Sequence, residues 1–125
     1  MEKDKILIIE DDESLVKIID EALDKEKFDT ILALEADEGI EKAILEKPAI
    51  IVLDILLPGK SGFECLKTLK ERKETRDIPV IILSNLGQNE EIREGLQLGA
   101  VDYLVKADFS IDEVVNKITK AIKKK

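Results

Sequence analysis

The sequence predicts a doubly wound α/β domain built on a five-stranded parallel sheet. Short apolar runs recur along the chain, they are continuous rather than alternating, and the segments between them show helical spacing of three and four. Continuous runs mark strands covered on both faces, as in a parallel sheet, whereas the wider spacing marks helices with one buried face. Strands and helices that alternate along a chain imply right-handed crossovers between parallel strands.

The first strand is Ile6-Leu7-Ile8-Ile9. A helical face of Leu15, Ile18, Ile19, Ala22 and Leu23 follows, with Lys17, Asp20, Glu21 and Asp24 opposite it. Thr30-Ile31-Leu32-Ala33-Leu34 fits an outer strand, and Ile40, Ala43 and Ile44 form the next helical face, with Asp37 as its expected cap. The third strand is Ala49-Ile50-Ile51-Val52-Leu53. Phe63, Leu66 and Leu69 define the third helix, opened by Ser61 and Glu64 at capping-box spacing. Val80-Ile81-Ile82-Leu83 is the fourth strand. The fourth helix, around Ile92 to Leu98 with Asn89 as its expected cap, has the weakest pattern because Gly95 sits inside it. Tyr103-Leu104-Val105 is the last strand. Ile111, Val114, Val115, Ile118 and Ile122 form the last helix, again behind a capping box, Ser110 with Glu113. No Pro/Gly/Ser-rich linker interrupts this order, so residues 1–125 are expected to form one domain.

Composition narrows the chemistry. The 125 residues carry 28 acidic and 20 basic side chains, a net charge of −8, and no histidine. Without histidine there is no Ser-His-Asp triad, imidazole base or histidine metal ligand. The single cysteine, Cys65, excludes an internal disulfide and a cysteine-rich zinc site, and suits a reducing compartment. An acidic chain repels phosphate backbones, so no direct nucleic-acid partner is expected. No apolar run approaches the about 20 residues of a membrane span, and no secretory signal is visible, so a soluble, cytoplasmic protein without a membrane partner is expected.

In open α/β sheets ligands bind beyond the carboxyl ends of the strands, where strand order reverses. The first strand ends in Glu10-Asp11-Asp12, the third in Asp54, the fourth in Ser84-Asn85, and the fifth leads to Lys106. Glu35 ends the second, at an outer edge if the strand order is 2-1-3-4-5, the flavodoxin-like one. Each residue has an ordinary reading. Glu10, Asp11 and Asp12 could complement a helix dipole, Ser84 could be a turn residue and Lys106 a solvated surface lysine. Their coincidence at matching strand ends favours a site. Clustered carboxylates stay ionised cheaply only with a cation between them, and oxygen-only ligands select a hard ion such as Mg²⁺.

Four segments in order resemble the receiver domain of bacterial two-component response regulators. They are Ile6 to Glu13, Asp54-Ile55-Leu56-Leu57-Pro58-Gly59 with Ser61-Gly62, Ile78 to Ser84, and Gly99 to Lys106. The resemblance implies a stand-alone phosphoacceptor domain, with Asp54 as the residue phosphorylated by a partner histidine kinase or phosphotransfer protein. It implies Mg²⁺ bound by Asp11, Asp54 and the Leu56 carbonyl, with Glu10 acting through water. Lys106 would offset charge on the phosphoryl oxygens. Ser84 would be the switch hydroxyl, and Tyr103 the switch aromatic that moves inward with it. The surface of the fourth helix, fifth strand and fifth helix would be the output face, for a downstream protein or for a homodimer on phosphorylation. For Tyr103 the ordinary alternative is a half-buried strand aromatic with a wet hydroxyl.

Two positions depart from the family pattern. Ala107 stands where a proline with a cis bond is usual. A cis bond before a non-proline residue costs ~2.5–4 kcal/mol, so a trans bond and a different loop path for Lys106 are expected. Asn85 stands where a small residue is usual, and can crowd the phosphoryl pocket or add a hydrogen bond. Leu56 and Leu86 flank the expected path of water and offer it no hydrogen bond, which predicts a long-lived aspartyl phosphate. Other readings fit less well. A haloacid-dehalogenase-like phosphatase places a second aspartate where Leu56 stands. A nucleotide or flavin carrier requires a phosphate-cradling loop, which Glu10-Asp11-Asp12-Glu13 is not. A receiver-like interaction module that is never phosphorylated is the alternative kept. The run Lys123-Lys124-Lys125 is expected to complement the last helix dipole.

Overall fold

A computed structural model describes residues 3–123 of the chain. Five strands and five helices alternate as β1 (Lys5–Ile9), α1 (Glu13–Lys25), β2 (Asp29–Ala33), α2 (Ala36–Glu46), β3 (Ile50–Leu53), α3 (Gly62–Glu71), β4 (Val80–Ser84), α4 (Asn89–Gln97), β5 (Asp102–Val105) and α5 (Ile111–Lys123). A 3₁₀ turn, Lys106–Asp108, joins β5 to the last helix. The strands form one parallel sheet in the order β2-β1-β3-β4-β5. The doubly wound class and the strand order are those the sequence predicts.

The continuous apolar strands divide their residues between two cores, because successive side chains point to opposite faces. Leu7, Ile9, Ile51, Leu53 and Ile82 pack against Ile40, Ala43, Cys65, Leu66 and Leu69 of α2 and α3. Ile6, Ile8, Ile50, Val52, Ile81 and Leu83 pack against Val16, Ile19 and Leu23 of α1 and Val114, Val115 and Ile118 of α5. Each fully buried side chain of this kind contributes ~1.5–3 kcal/mol, so both faces drive closure. α4 differs from the other helices: only Gly95 among its residues is buried.

Several local expectations are corrected. The stripe of α1 centres on Val16, Ile19 and Leu23, and Ile18 lies 49% exposed, because Ile19 shares its face with residues three before and four after it. Asp37 lies inside α2 and pairs with Lys60 at 2.9 Å, and Glu35 occupies the cap position without a side-chain cap bond. α4 is capped by Gln88, which forms a capping box with Glu91, so Asn89 is its first helical residue. The other caps form as expected: Ser61 Oγ accepts from Glu64 N–H at 3.3 Å and Ser110 Oγ from Glu113 N–H at 3.2 Å. No described helix is long and apolar enough to cross a membrane. Of the C-terminal lysines, residues 124 and 125 and the side chain of 123 lie outside the described residues.

Candidate functional site

Neighbouring strands place the acidic residues. β1 and β3 are hydrogen-bonded partners, and the Asp54 N–H donates to the Ile9 carbonyl at 3.0 Å, so Glu10 and Asp54 leave the sheet side by side. Both are 4% exposed. Asp11 lies next to them and is exposed, yet a carboxylate oxygen from each of Glu10, Asp11 and Asp54 lies within 4.8 Å of the other two. Asp12 turns away to cap α1, its Oδ1 accepting from Leu15 N–H at 3.2 Å.

Lys106 enters from β5. Its ammonium lies 2.7 Å from Glu10 Oε1 and 3.0 Å from Asp54 Oδ2, with the lysine side chain only 16% exposed. The described residues contain no cis peptide bond, so the Lys106–Ala107 bond is trans, as the missing proline predicts. The path is the 3₁₀ turn, which starts at Lys106 and delivers the amine without a proline. The remaining oxygens have partners too: Asp54 Oδ1 accepts from Leu56 N–H at 3.1 Å, and Glu10 Oε2 from Asp12 N–H at 3.2 Å. Burial pushes the Glu10 carboxyl up to about 7; the Lys106 hydrogen bond opposes this and the neighbouring Asp54 adds to it. For Lys106 burial works downward, but the hydrogen bonds to Glu10 and Asp54 outweigh it and raise the ammonium above its usual value.

Three carboxylates and one ammonium leave a local charge of −2 when all are ionised. Oxygen-only donors converging at this spacing fit a hard divalent ion such as Mg²⁺, which would neutralise that excess. The Leu56 side chain is 51% exposed, and its backbone lies against the Asp54 carboxylate through the N–H bond.

Ser84 and Tyr103 form a second cluster at the ends of β4 and β5. Ser84 is fully buried, and its Oγ accepts from Leu86 N–H at 3.3 Å. Tyr103 is 7% exposed and donates its hydroxyl to the Leu86 carbonyl at 2.5 Å. Leu86 is therefore held through both of its peptide groups, its N–H by the serine and its carbonyl by the tyrosine. The ring is inside, and its hydroxyl is not left to water. Burial, then the charges of Glu91 and Asp54, push the phenol up to about 12, against a hydrogen bond with Ser84. Asn85 is exposed beside this cluster, and Leu86 is half-buried.

Sequence reasoning missed Gly95. A Cβ there would lie 2.5 Å from Ile82 Cδ1 and 2.9 Å from Tyr103 Cδ2, so the glycine forms the seat of the tyrosine ring. Its only sequence signal was a glycine inside an otherwise helical segment.

Comparisons with known proteins agree with this fold. A family model described as the response regulator receiver domain matches residues 6–119. The alkaline phosphatase synthesis transcriptional regulatory protein PhoP of Bacillus subtilis is 39% identical over 118 residues, 94% of this chain and 48% of that protein. The phosphate regulon transcriptional regulatory protein PhoB of Escherichia coli is 36% identical, over 91% of this chain and 49% of that protein. The chain thus spans about half the length of the curated relatives it matches. Among solved structures, the receiver domain of the Francisella response regulator 1452 is 33% identical with a TM-score of 0.88, covering 98% of both chains. The BeF3-activated N-terminal receiver domain of Klebsiella pneumoniae RstA is 27% identical with a TM-score of 0.87, covering 95% of this chain and 98% of that one. With the family match over residues 6–119 and the sheet order in agreement, the chain belongs to the response regulator receiver domain family of two-component systems.

Proposed function

We propose that the protein accepts a phosphoryl group on Asp54 from a phosphohistidine of a partner kinase or phosphotransfer protein, in the cytoplasm. The observation that carries this reading is the buried Asp54 carboxylate, flanked by Glu10 and Asp11 and contacted by the Lys106 ammonium at 3.0 Å. An Asp54 oxygen forms the new bond to phosphorus as the phosphorus–nitrogen bond breaks, and the donor imidazole keeps the electron pair. Phosphoryl transfer depends on positioning and charge stabilisation more than on a strong base, which suits a site without histidine. Glu10, Asp11, Asp54 and the Leu56 carbonyl would hold Mg²⁺, which when bound supplies positive charge to the phosphoryl oxygens. Lys106, in contact with both Glu10 and Asp54, supplies a second positive charge.

The phosphoryl group adds about −1.5 to −2 of charge beside Ser84. Ser84 and Tyr103 both hold the backbone of Leu86, so a change at Ser84 would reach the Tyr103 ring and the surface of α4, β5 and α5. That surface would contact a downstream protein or a second copy of the chain. A net charge of −8 disfavours direct contact with nucleic acid.

Incubation with acetyl phosphate and Mg²⁺, read by intact mass, tests the proposal. The wild type should gain one phosphoryl group and Asp54→Asn none. A wild type that stays unmodified and does not respond to beryllofluoride would instead indicate an interaction module that is never phosphorylated.

A further inference from the structure

We infer that Gly62 is a positioning residue for the acceptor carboxylate: the missing side chain at this site sets where the Asp54 backbone stands. The Asp54 peptide is gripped from two directions. Its N–H is bonded to the Ile9 carbonyl of β1, and the chain beyond it is folded back against α3. There Gly62 N–H donates to the Ile55 carbonyl at 2.9 Å, and Leu57 N–H donates to the same oxygen at 3.1 Å. A Cβ on residue 62 would overlap the Asp54 carbonyl oxygen and lie 2.5 Å from Ile55 Cα and 3.0 Å from the Asp54 carbonyl carbon.

These neighbours are backbone atoms, which cannot rotate aside as a side-chain end can. Among the described glycines only Gly59 and Gly99 have positive φ, so position 62 needs glycine for space and not for conformation. The start of α3 cannot easily yield, because Ser61 caps it and Cys65, Leu66 and Leu69 are fully buried behind it. A methyl group at residue 62 must therefore displace the Asp54–Ile55 peptide, and with it the carboxylate that faces Glu10 and Lys106.

This role acts through Asp54 and rests on the phosphoacceptor reading. The test compares Gly62→Ala with Cys65→Ala, which removes a buried atom from the same helix away from the Asp54 backbone. With acetyl phosphate at saturating Mg²⁺, Gly62→Ala should keep its KM, while its maximal rate falls by up to about 100-fold, the loss expected for a misplacement of ~1 Å. Cys65→Ala should keep the wild-type rate. A wild-type maximal rate in Gly62→Ala, or an equal loss in a Cys65→Ala protein of matched stability, overturns the inference.

If the wild type takes no phosphoryl group, the functional reading fails and the positioning role is decided by Mg²⁺ half-saturation. A weakening of about tenfold in Gly62→Ala supports it, and equal values overturn it. If Gly62→Ala does not fold, amide exchange of the wild type decides: beryllofluoride with Mg²⁺ should slow exchange at Gly62 N–H, and an unchanged rate overturns the inference.

Discussion

Replacing Lys106 with methionine removes the ammonium that bridges two buried carboxylates and keeps most of the side-chain stem. Its nitrogen is 2.7 Å from Glu10 and 3.0 Å from Asp54, and both acids are about as buried as core residues. Removing one partner of a buried ion pair costs ~3–5 kcal/mol, because the remaining charge loses its compensation. With a urea slope of ~1–3 kcal/mol/M for a small domain, that loss lowers the unfolding midpoint by roughly 2 M in metal-free buffer.

The loss depends on pH. The Glu10 carboxyl, held near 7 with Lys106 present, goes higher without it and so already takes a proton at neutral pH. The raised value also sets a sign for the metal-free wild type. The contribution of Glu10 to stability is complete below its ordinary value of 4.5 and is lost as pH rises through about 7. Lys106→Met should therefore lose most above pH 7 and less near pH 6. Mg²⁺ should restore more stability to the variant than to the wild type, since no ammonium competes for the same oxygens. Urea curves with and without Mg²⁺ at two pH values measure this. A variant as stable as the wild type in metal-free buffer, with the same response to Mg²⁺, would refute the reasoning.

Three further outcomes are expected. Gly95→Ala gains ~1 kcal/mol of helix propensity but forces overpacking worth ~1–3 kcal/mol against Ile82 and Tyr103. Because Tyr103 is the only tyrosine and tryptophan is absent, expulsion of its ring should appear as increased acrylamide quenching of the intrinsic fluorescence. Thr30→Val should stabilise the protein by about 1 kcal/mol in chemical denaturation, since the Thr30 hydroxyl is buried without a hydrogen-bond partner. Polar substitutions at Leu56 and Leu86 should speed loss of phosphate from Asp54, and unchanged decay rates would remove these leucines as the cause of a long lifetime.

The fold was legible because each strand encodes burial on both faces in a local apolar run, and each helix encodes one face by spacing. The site was legible because topology turns strand ends into neighbours: Glu10, Asp54 and Lys106 are far apart in sequence and meet wherever β1, β3 and β5 end at one edge. Features set by contact between distant segments were not legible. Nothing near Ala107 indicates that a 3₁₀ turn carries Lys106 to two carboxylates, and nothing near Gly95 indicates an aromatic ring from the next strand. Cap positions were misplaced where the capping side chain was atypical, as with Gln88, or where an acid had a stronger partner, as Asp37 has in Lys60.

The thin attachment of α4 has an energetic consequence of its own. A helix whose only buried residue is a glycine covers little of the core beyond Ile82 and Tyr103, so its amides should exchange through a local opening easier than global unfolding. A signal shifts an equilibrium only by its differential affinity for the two states, and moving a population from 1:99 to 99:1 takes about 5.5 kcal/mol. A loosely docked helix keeps the gap between its docked and detached arrangements small, so under the proposed function the charge added at Asp54 has less to overcome there than in either core.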